Sequence, residues 1–273
     1  MRENGFSLVS VIVGTYNARE FVPATLQSIL SQNYSYFELI VIDDASRDET
    51  WEFLTSLKDP RLRLYRNKKN LGIPATRNRG LKLAKGKYVT FFDHDDIMLP
   101  EAIRKRVEFL ENKKEAEAVF GYTKEFIGKK GKIASKASVE AGLRWGHLKF
   151  FHLSKVLNFE DVKRFVMVHH LLLQNFVFRR SLLKRTGDFD TRFETADDSD
   201  YKFRLAKRTP FYFVNVPVRY YRLHGKNKSC LTPTKRIFQE WQFLTRRYGI
   251  DPIYLLWPQN LDAFKRKQPW ENY

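Results

Sequence analysis

Two kinds of segment alternate through the first 122 residues, and this alternation constrains the fold more than any other feature. Short apolar or alternating runs typical of strands lie at residues 8–13, 37–42, 61–66, 88–92 and 118–122. Segments whose apolar residues recur every three or four positions lie at residues 22–31, at 74–84 and from 100 onward. We expect an α/β fold whose mostly parallel central sheet carries helices on both faces. Ligands bind at the carboxyl ends of the strands in such sheets.

The second half of the chain has weaker periodicity. Strands are predicted near residues 171–178 and 211–216, and helices at 199–207 and 235–248. Residues 123–142, which are rich in Lys and Gly, are typical of a hairpin or loop. In the first half, Ser46 with Glu49 three residues later predicts a capping box for the helix that follows the second strand.

The formal net charge is +18, and it is concentrated toward the end of the chain, where residues 202–273 hold 15 Lys and Arg against 4 Asp and Glu. Such a field attracts phosphates, acidic polymers or an anionic membrane surface, although a solvated basic face without a partner has the same composition. The sequence carries no signature of a known RNA- or DNA-binding module, so no nucleic acid partner is expected.

The single cysteine and the hydropathy of the chain allow the cellular compartment to be predicted. Cys230 has no second cysteine to pair with in this sequence, which is typical of proteins from a reducing compartment. No apolar run approaches the roughly 20 residues that span a bilayer, and the N-terminus does not resemble a cleaved signal. We expect a cytoplasmic protein, with peripheral contact on the inner face of the cell membrane as a further prediction.

Three acidic clusters follow predicted strands or precede a predicted helix, at residues 43–44, 93–96 and 194–200. Neighbouring carboxylates repel one another unless a cation or hydrogen-bond donors lie between them. Oxygen ligands without cysteine suit Mg²⁺ or Mn²⁺, which makes residues 93–96 a candidate metal site. Polar turns and helix caps are the alternative at all three clusters. A carboxylate of the third cluster could instead serve as a general base.

Cationic and polar donors are concentrated in residues 220–229, which include Arg222, His224, Lys226 and Lys228. Several donors in one short segment suit a diphosphate. A structural role for His224 is the alternative.

The order and spacing of these motifs resemble glycosyltransferase family 2. The resemblance covers about residues 7–230, and its matching segments are 9–17 (Val-Ser-Val-Ile-Val-Gly-Thr-Tyr-Asn), 26–32, 38–48, 70–72, 75–80, 86–96, 178–183 and 187–190. It implies the GT-A fold, a Rossmann-like α/β architecture. It also implies a catalytic domain over residues 1–230, with a nucleotide-binding half at 1–122, an acceptor-binding half at 123–230 and a basic helical extension at 231–273.

The activity implied by the resemblance is transfer of a sugar from a nucleoside-diphosphate sugar, a UDP-sugar above all, to a hydroxyl of a glycan or lipid-linked acceptor. The family inverts the anomeric configuration and uses Mn²⁺ or Mg²⁺. By analogy with the family, the chain is expected to act in surface polysaccharide or glycolipid synthesis.

Residue roles also follow from the resemblance. The expected contacts to the nucleotide sugar are Gly14, Thr15, Tyr16, Asn17, Asp44, Arg77, Asp93, Asp197, Arg222 and His224. The expected metal ligands are Asp95 foremost, Asp93 and His224. Asp198 matches the catalytic base, whereas Asp197 stands where the family usually has Glu. Gln174 and Asn175 lie where acceptor contacts are expected.

Two alternatives remain open at this point. A non-catalytic nucleotide- or nucleic-acid-binding module could use the same fold and basic surface, but it would be expected to lack the acidic clusters. A nucleotidyltransferase usually has a glycine- and basic-rich loop after its first strand, which residues 14–19 do not resemble.

Overall fold

The computed structural model describes residues 2–3, 6–127, 156–165, 171–222, 224 and 226–250. Its strands, in chain order, are β1 (Arg2–Glu3), β2 (Phe6–Ser7), β3 (Val9–Thr15), β4 (Phe37–Asp43), β5 (Leu62–Arg66), β6 (Tyr88–Asp93), β7 (Ile97–Met98), β8 (Ala118–Ile127), β9 (Val156–Leu157), β10 (Phe176–Arg179) and β11 (Phe211–Arg222).

The α-helices among the described residues are α1 (Val22–Leu30), α2 (Thr50–Ser56), α3 (Ile73–Leu83), α4 (Ala102–Asn112), α5 (Phe159–Phe165), α6 (Arg180–Thr186), α7 (Asp197–Ala206), α8 (Lys228–Leu231) and α9 (Thr234–Tyr248). A 3₁₀ turn at Leu173–Asn175 precedes β10. Within the described residues, no helix combines the length and apolarity that a membrane crossing requires.

One central sheet organises the molecule, with the strand order β5-β4-β3-β6-β10-β8-β11-β7 and with β9 paired to β11. Its first four strands are parallel. Strand β10 runs antiparallel to both of its neighbours, β6 and β8, and β11 returns parallel to β8. The predicted α/β class, with a central sheet of mostly parallel strands, is confirmed.

Helices cover both faces of the sheet because consecutive strand residues point to opposite sides. Val11 and Val13 of β3 belong to a core that includes buried residues of α1 and α4. Ile12, between them, belongs to a second core that includes residues of α6, α7 and α9. The long apolar strand runs therefore reflect burial on both sides.

Each departure from the predicted elements can be explained by contacts in the structure. Helix α2 begins at Thr50, without a side-chain cap, so the capping box at Ser46 was wrong. The Ser46 hydroxyl donates instead to the carboxylate of Asp43 at the end of β4. Strand β11 extends to Arg222, beyond its predicted end, because it pairs with β8 along most of its length. Residues 128–142 of the predicted hairpin or loop lie outside the described residues.

Candidate active site

The site is built on the carboxyl edge of the parallel strands. In the register of the parallel strands, Thr15 lies opposite Asp43 and Gly14 lies opposite Asp93, so the ends of β3, β4 and β6 are level with one another. The polar residues that follow these strands therefore converge at one edge of the sheet.

Two turns at this edge hold each other in place. Asn17 has a φ of 47° and Ala45 a φ of 60°, both in the left-handed region, which Asn tolerates better than most residues. The Asn17 side-chain oxygen accepts a hydrogen bond from the amide of Arg47 at 2.8 Å, and its own amide donates to Ser46 Oγ at 2.9 Å. Tyr16, between the turn and the strand, is exposed at the rim.

Asp44 is buried, and both of its carboxylate oxygens accept hydrogen bonds. Oδ1 accepts from the amide of Leu71 at 2.9 Å and from Asn67 Nδ2 at 2.6 Å, while Oδ2 accepts from the amide of Gly72 at 2.8 Å. Gly72 has a φ of 85°, a conformation that favours glycine. Asp44 thus fixes the loop that leads into α3, and its contact with the base remains a prediction.

Helix α3 carries Arg77, which joins two of the acidic clusters. Its guanidinium lies 2.6 Å from Asp197 and 3.3 Å from Asp93, over the ring of Phe189. Burial acts to lower the pKa of Arg77, but Asp197 and Asp93 outweigh it and raise that pKa. One residue earlier, Thr76 packs against Gly14, where an added Cβ would come within 3.0 Å of the Thr76 methyl group. Arg77 therefore stays charged while α3 lies close against β3.

Asp93, Asp95 and Asp96 each offer a carboxylate oxygen, and these oxygens lie within 4.8 Å of one another. Asp96 is fully buried and already holds the guanidinium of Arg219 and the amide of Arg222, the latter at 2.9 Å. Burial raises the pKa of Asp96 to about 8, against the attraction of Arg219. Asp93 and Asp95 are therefore the members of this group better placed to hold Mg²⁺ or Mn²⁺, and their oxygen donors fit either ion.

His224 is tied to Asp95 and stacked on an aromatic ring. Its Nε2 lies 3.0 Å from Asp95 Oδ2, its Nδ1 accepts from the amide of Lys226 at 3.2 Å, and its ring centroid is 4.0 Å from that of Phe21. With Nδ1 accepting from the Lys226 amide, Nε2 can donate to Asp95, and a nitrogen that carries this proton has no lone pair for a metal. In this arrangement His224 orients Asp95, and direct metal ligation would require the other tautomer.

Asp197 and Asp198 begin α7 and differ in environment. Burial raises the pKa of Asp197 to about 6, against the attraction of Arg77. Burial acts in the same direction on Asp198, but Lys202, 3.1 Å away, and Arg77 outweigh it and hold the pKa of Asp198 below that of an ordinary carboxyl. The Asp198 side chain is 19% exposed and that of Asp197 is 4% exposed. Asp198 is therefore the ionised and more accessible carboxylate of the pair.

Several residues of the site had not been identified from the sequence. Arg219 is buried against Asp96, and no local pattern indicates this pairing across 123 positions. Lys202 could have been found, because a Lys four residues after an Asp on a helix is a recognised ion-pair spacing. Gln174, by contrast, was expected from the sequence to lie among the acceptor contacts; it donates through Nε2 to Asp93, and its buried Oε1 has no hydrogen-bond partner within the described part of the chain.

A chain of contacts connects the predicted site residues. Arg77 links Asp93 to Asp197, Asp198 follows on the same helix, and His224 reaches Asp95 two residues after Asp93. The remaining predicted residues reach the same edge through three contacts. The amide of Asp44 donates to the carbonyl of Thr15 at 2.8 Å, and the carbonyl of Gly14 lies 3.1 Å from His94 Nδ1. The guanidinium of Arg222 lies over the ring of Phe21.

Comparisons with known proteins converge on one family. Residues 10–187 match the model described as glycosyl transferase family 2. The chain is 30% identical over 226 residues to the UDP-Glc:alpha-D-GlcNAc-diphosphoundecaprenol beta-1,3-glucosyltransferase WfaP of Escherichia coli, a match covering 82% of this chain and 80% of that protein.

Solved structures share the fold at lower sequence identity. TarS of S. aureus in complex with UDP-GlcNAc superimposes with a TM-score of 0.68 at 19% identity, covering 87% of this chain and 65% of that one. The mannosyltransferase PcManGT from Pyrobaculum calidifontis, in complex with GDP-Man and Mn²⁺, superimposes with a TM-score of 0.63 at 19% identity, covering 95% of this chain and 70% of that one.

Proposed function

Because the chain belongs to glycosyltransferase family 2, we propose that it transfers a sugar from a nucleoside-diphosphate sugar, with a UDP-sugar as the first candidate, to an acceptor hydroxyl. The transfer inverts the anomeric configuration and uses a divalent cation. Residues 1–230 form the catalytic unit of this proposal, and residues 231–273 form its basic extension.

The observation that carries the proposal is the double ion pair of Arg77. A single guanidinium contacts Asp93 of the candidate metal group and Asp197 of the α7 group. These two clusters are separated by about a hundred residues in sequence, yet they meet at the strand edge where ligands of parallel sheets bind. Separate polar turns or helix caps would have no reason to share this cation.

On the donor side, the end of β3 at Thr15 and the turn that contains Asn17 are proposed to receive the nucleoside. Asp93 and Asp95 would hold the divalent cation, with His224 keeping Asp95 in place through the 3.0 Å contact. Such a cation, when bound, offsets the negative charge that develops on the departing diphosphate. Arg222 offers a further positive charge over the ring of Phe21, the ring on which His224 stacks.

On the acceptor side, Asp198 is proposed to accept the proton of the attacking hydroxyl. Its lowered pKa keeps it ionised at neutral pH, as a proton acceptor requires. The hydroxyl oxygen forms the new bond to the anomeric carbon as the bond to the diphosphate breaks, and a single displacement of this kind inverts the configuration. Gln174, whose side-chain oxygen has no partner among the described residues, is a candidate contact for a sugar hydroxyl.

The acceptor class is proposed from the WfaP relative, whose name describes transfer of glucose to a GlcNAc-diphosphoundecaprenol. We extend this to a lipid-linked or glycan acceptor for the present chain, in surface polysaccharide or glycolipid synthesis. A cytoplasmic location with peripheral contact to an anionic membrane would suit such an acceptor.

The proposal is tested by thermal shift with UDP-, GDP- and dTDP-sugars in the presence of Mn²⁺, followed by a transfer assay with the donor that stabilises the protein. We expect one nucleotide series to raise the Tm in a metal-dependent manner, because a ligand that binds only the folded state stabilises it. Calorimetry with Asp95→Ala should then show no metal-dependent donor binding. Stabilisation by oligonucleotides instead of by nucleotide sugars would favour a nucleic-acid-binding module and contradict the proposal.

A further inference from the structure

Glu240 lies on α9, and its buried carboxylate is surrounded by hydrogen-bond donors. The Glu240 oxygens Oε1 and Oε2 accept hydrogen bonds from the amides of Glu194 at 2.7 Å, Thr195 at 2.9 Å and Ala196 at 3.0 Å. The Thr195 hydroxyl donates to Oε2 at 2.9 Å, and Arg236 Nε lies 3.0 Å from Oε1. One carboxylate thus holds three consecutive amides of another segment.

The segment that Glu240 holds leads directly into the candidate catalytic helix. Ala196 is the N-cap residue of α7, so the three amides that Glu240 holds are those of the N-cap residue and of the two residues before it. Glu240 supplies an acceptor for the Ala196 amide from 44 residues away in sequence. Asp197 and Asp198 come immediately after Ala196, so their positions follow from the path of this segment.

Helix α9 stays attached to the molecule through contacts that do not involve Glu240. Ile237, Trp241 and Leu244 are buried in the core. At the far end of α9, the hydroxyl of Tyr248 donates to Asp200 at 2.7 Å. Removing the Glu240 carboxylate should therefore free the segment before α7 without detaching α9.

We propose that Glu240 is a positioning residue of the transfer reaction, which fixes the start of α7 so that Asp198 faces the acceptor hydroxyl. The inference rests on the proposed function. It assigns a role in that function to the helix of the basic extension, which lies beyond the residues 10–187 that match the family model.

The direction of the expected effect follows from what Glu240 does and does not touch. It contacts the backbone before Asp198 and makes no contact with the donor-side residues Asp93, Asp95 or His224 among its described hydrogen bonds. A displacement of about 1 Å can cost about 100-fold in rate when it moves a reacting group. We expect kcat to fall by about tenfold or more, with donor affinity changed by less than about twofold.

The experiment compares Glu240→Ala and Glu240→Gln with Gln239→Ala, a matched substitution at the preceding, exposed position of α9. Calorimetry with UDP-sugar and Mn²⁺ counts the folded sites and gives donor affinity, and the transfer assay gives kcat per site. Glu240→Gln retains one acceptor oxygen, so its kcat should lie between those of Glu240→Ala and the wild type. Gln239→Ala should match the wild type.

Hydrogen–deuterium exchange provides a readout that does not depend on turnover. Amides 194–200 should exchange faster in Glu240→Ala, while those of β3 and β6 should be unchanged. Wild-type exchange at 194–200 in Glu240→Ala, or unchanged kcat per site despite faster exchange, would overturn the positioning role. A wild-type chain that binds and transfers no nucleotide sugar would instead refute the proposed function, because that result appears before any variant is made.

Discussion

Asp197 and Asp198 are neighbours in sequence, yet their surroundings give them different chemistry. Asp197 is buried against Arg77, and burial raises its pKa to about 6. Asp198 keeps partial exposure beside Lys202, and its pKa is lowered. Neighbouring carboxyls with pKa values displaced in opposite directions are typical of sites where one group holds structure or charge and the other handles a proton.

Asp198→Asn should lower kcat by about 10²- to 10⁴-fold, because the amide cannot accept the proton of the acceptor hydroxyl. Donor affinity should be retained, since the substitution is nearly isosteric and Asp198 is not among the proposed donor contacts. The measurement is kcat in the transfer assay with donor affinity from calorimetry. Asp188→Asn, at an exposed carboxylate ten residues earlier, is the control. Wild-type turnover in Asp198→Asn would remove Asp198 from its role.

Lys202→Met should move the acid limb of the pH–kcat profile to higher pH. Lys202 lowers the pKa of Asp198, so without the ammonium the effect of burial dominates and that pKa rises. The base must be ionised to act, and it is protonated as the pH falls through its pKa, so a higher pKa means that activity is lost earlier on acidification. Acid limbs that superimpose in the two proteins would show that Asp198 does not govern this limb.

Whether a site residue could be predicted from the sequence depends on how far away its partners lie along the chain. Asp93 and Asp95 could be selected from the sequence because strand, acidic cluster and helix follow one another locally. Arg219 and Glu240 could not, because each is one ordinary charged residue until the fold brings it to Asp96 or to Ala196. Sequence reasoning therefore found the groups proposed to touch substrate and missed the groups that hold them.

At the scale of elements, the same distinction separates the two halves of the sheet. Strands β3 to β6 and helices α1 and α3 were predicted within a few residues, since each carries its own periodicity and turn residues. The length of β11 and the antiparallel insertion of β10 depend on pairing with distant strands, which leaves no local pattern. The second half was accordingly predicted less well.

Helix α3 approaches β3 so closely that Gly80 has no room for a side chain. An added Cβ would lie 2.3 Å from Cγ2 of Ile12, a buried residue whose β-branched side chain is stiff. Overpacking of this kind costs about 1–3 kcal/mol, whereas Ala in place of Gly in a helix gains about 1 kcal/mol. The close approach matters for function because α3 also carries Arg77.

Gly80→Ala should therefore lower the free energy of unfolding, since the overlap exceeds the gain in helix propensity. Denaturant unfolding measures the change, and Lys82→Ala is the control, because its side chain is mostly exposed on the same helix. The control should lie within about 0.5 kcal/mol of the wild type. A Gly80→Ala protein as stable as the control would contradict the tight packing of α3 on β3.

The whole molecule combines an acidic site with a strongly basic surface. A net charge of +18 attracts anions over long distances, yet the carboxylates at the strand edge would repel a diphosphate at close range. A divalent cation bound between the carboxylates and the diphosphate would remove this repulsion, and the charge distribution of the molecule therefore supports proposing one. The remaining basic surface is then free to meet something other than the donor.

The distribution of this charge predicts how the protein meets a membrane. We expect the chain to sediment with vesicles containing phosphatidylglycerol more than with vesicles of phosphatidylcholine alone, because each basic side chain near an anionic surface contributes about 1 kcal/mol. Added salt should weaken the binding, since surface charges are screened beyond about 10 Å at 0.1 M ionic strength.

Two double variants separate net charge from its location. Reversal of Lys235 and Arg246, both exposed on α9, should weaken binding to anionic vesicles more than reversal of Lys58 and Lys68, which are exposed in the first half of the chain. Both double variants change the net charge equally. If vesicle binding depended on net charge alone, the two variants would therefore lose the same amount of binding. Since basic residues are concentrated beyond residue 202, we expect the α9 pair to contribute more, and equal losses would mean that α9 does not face the membrane.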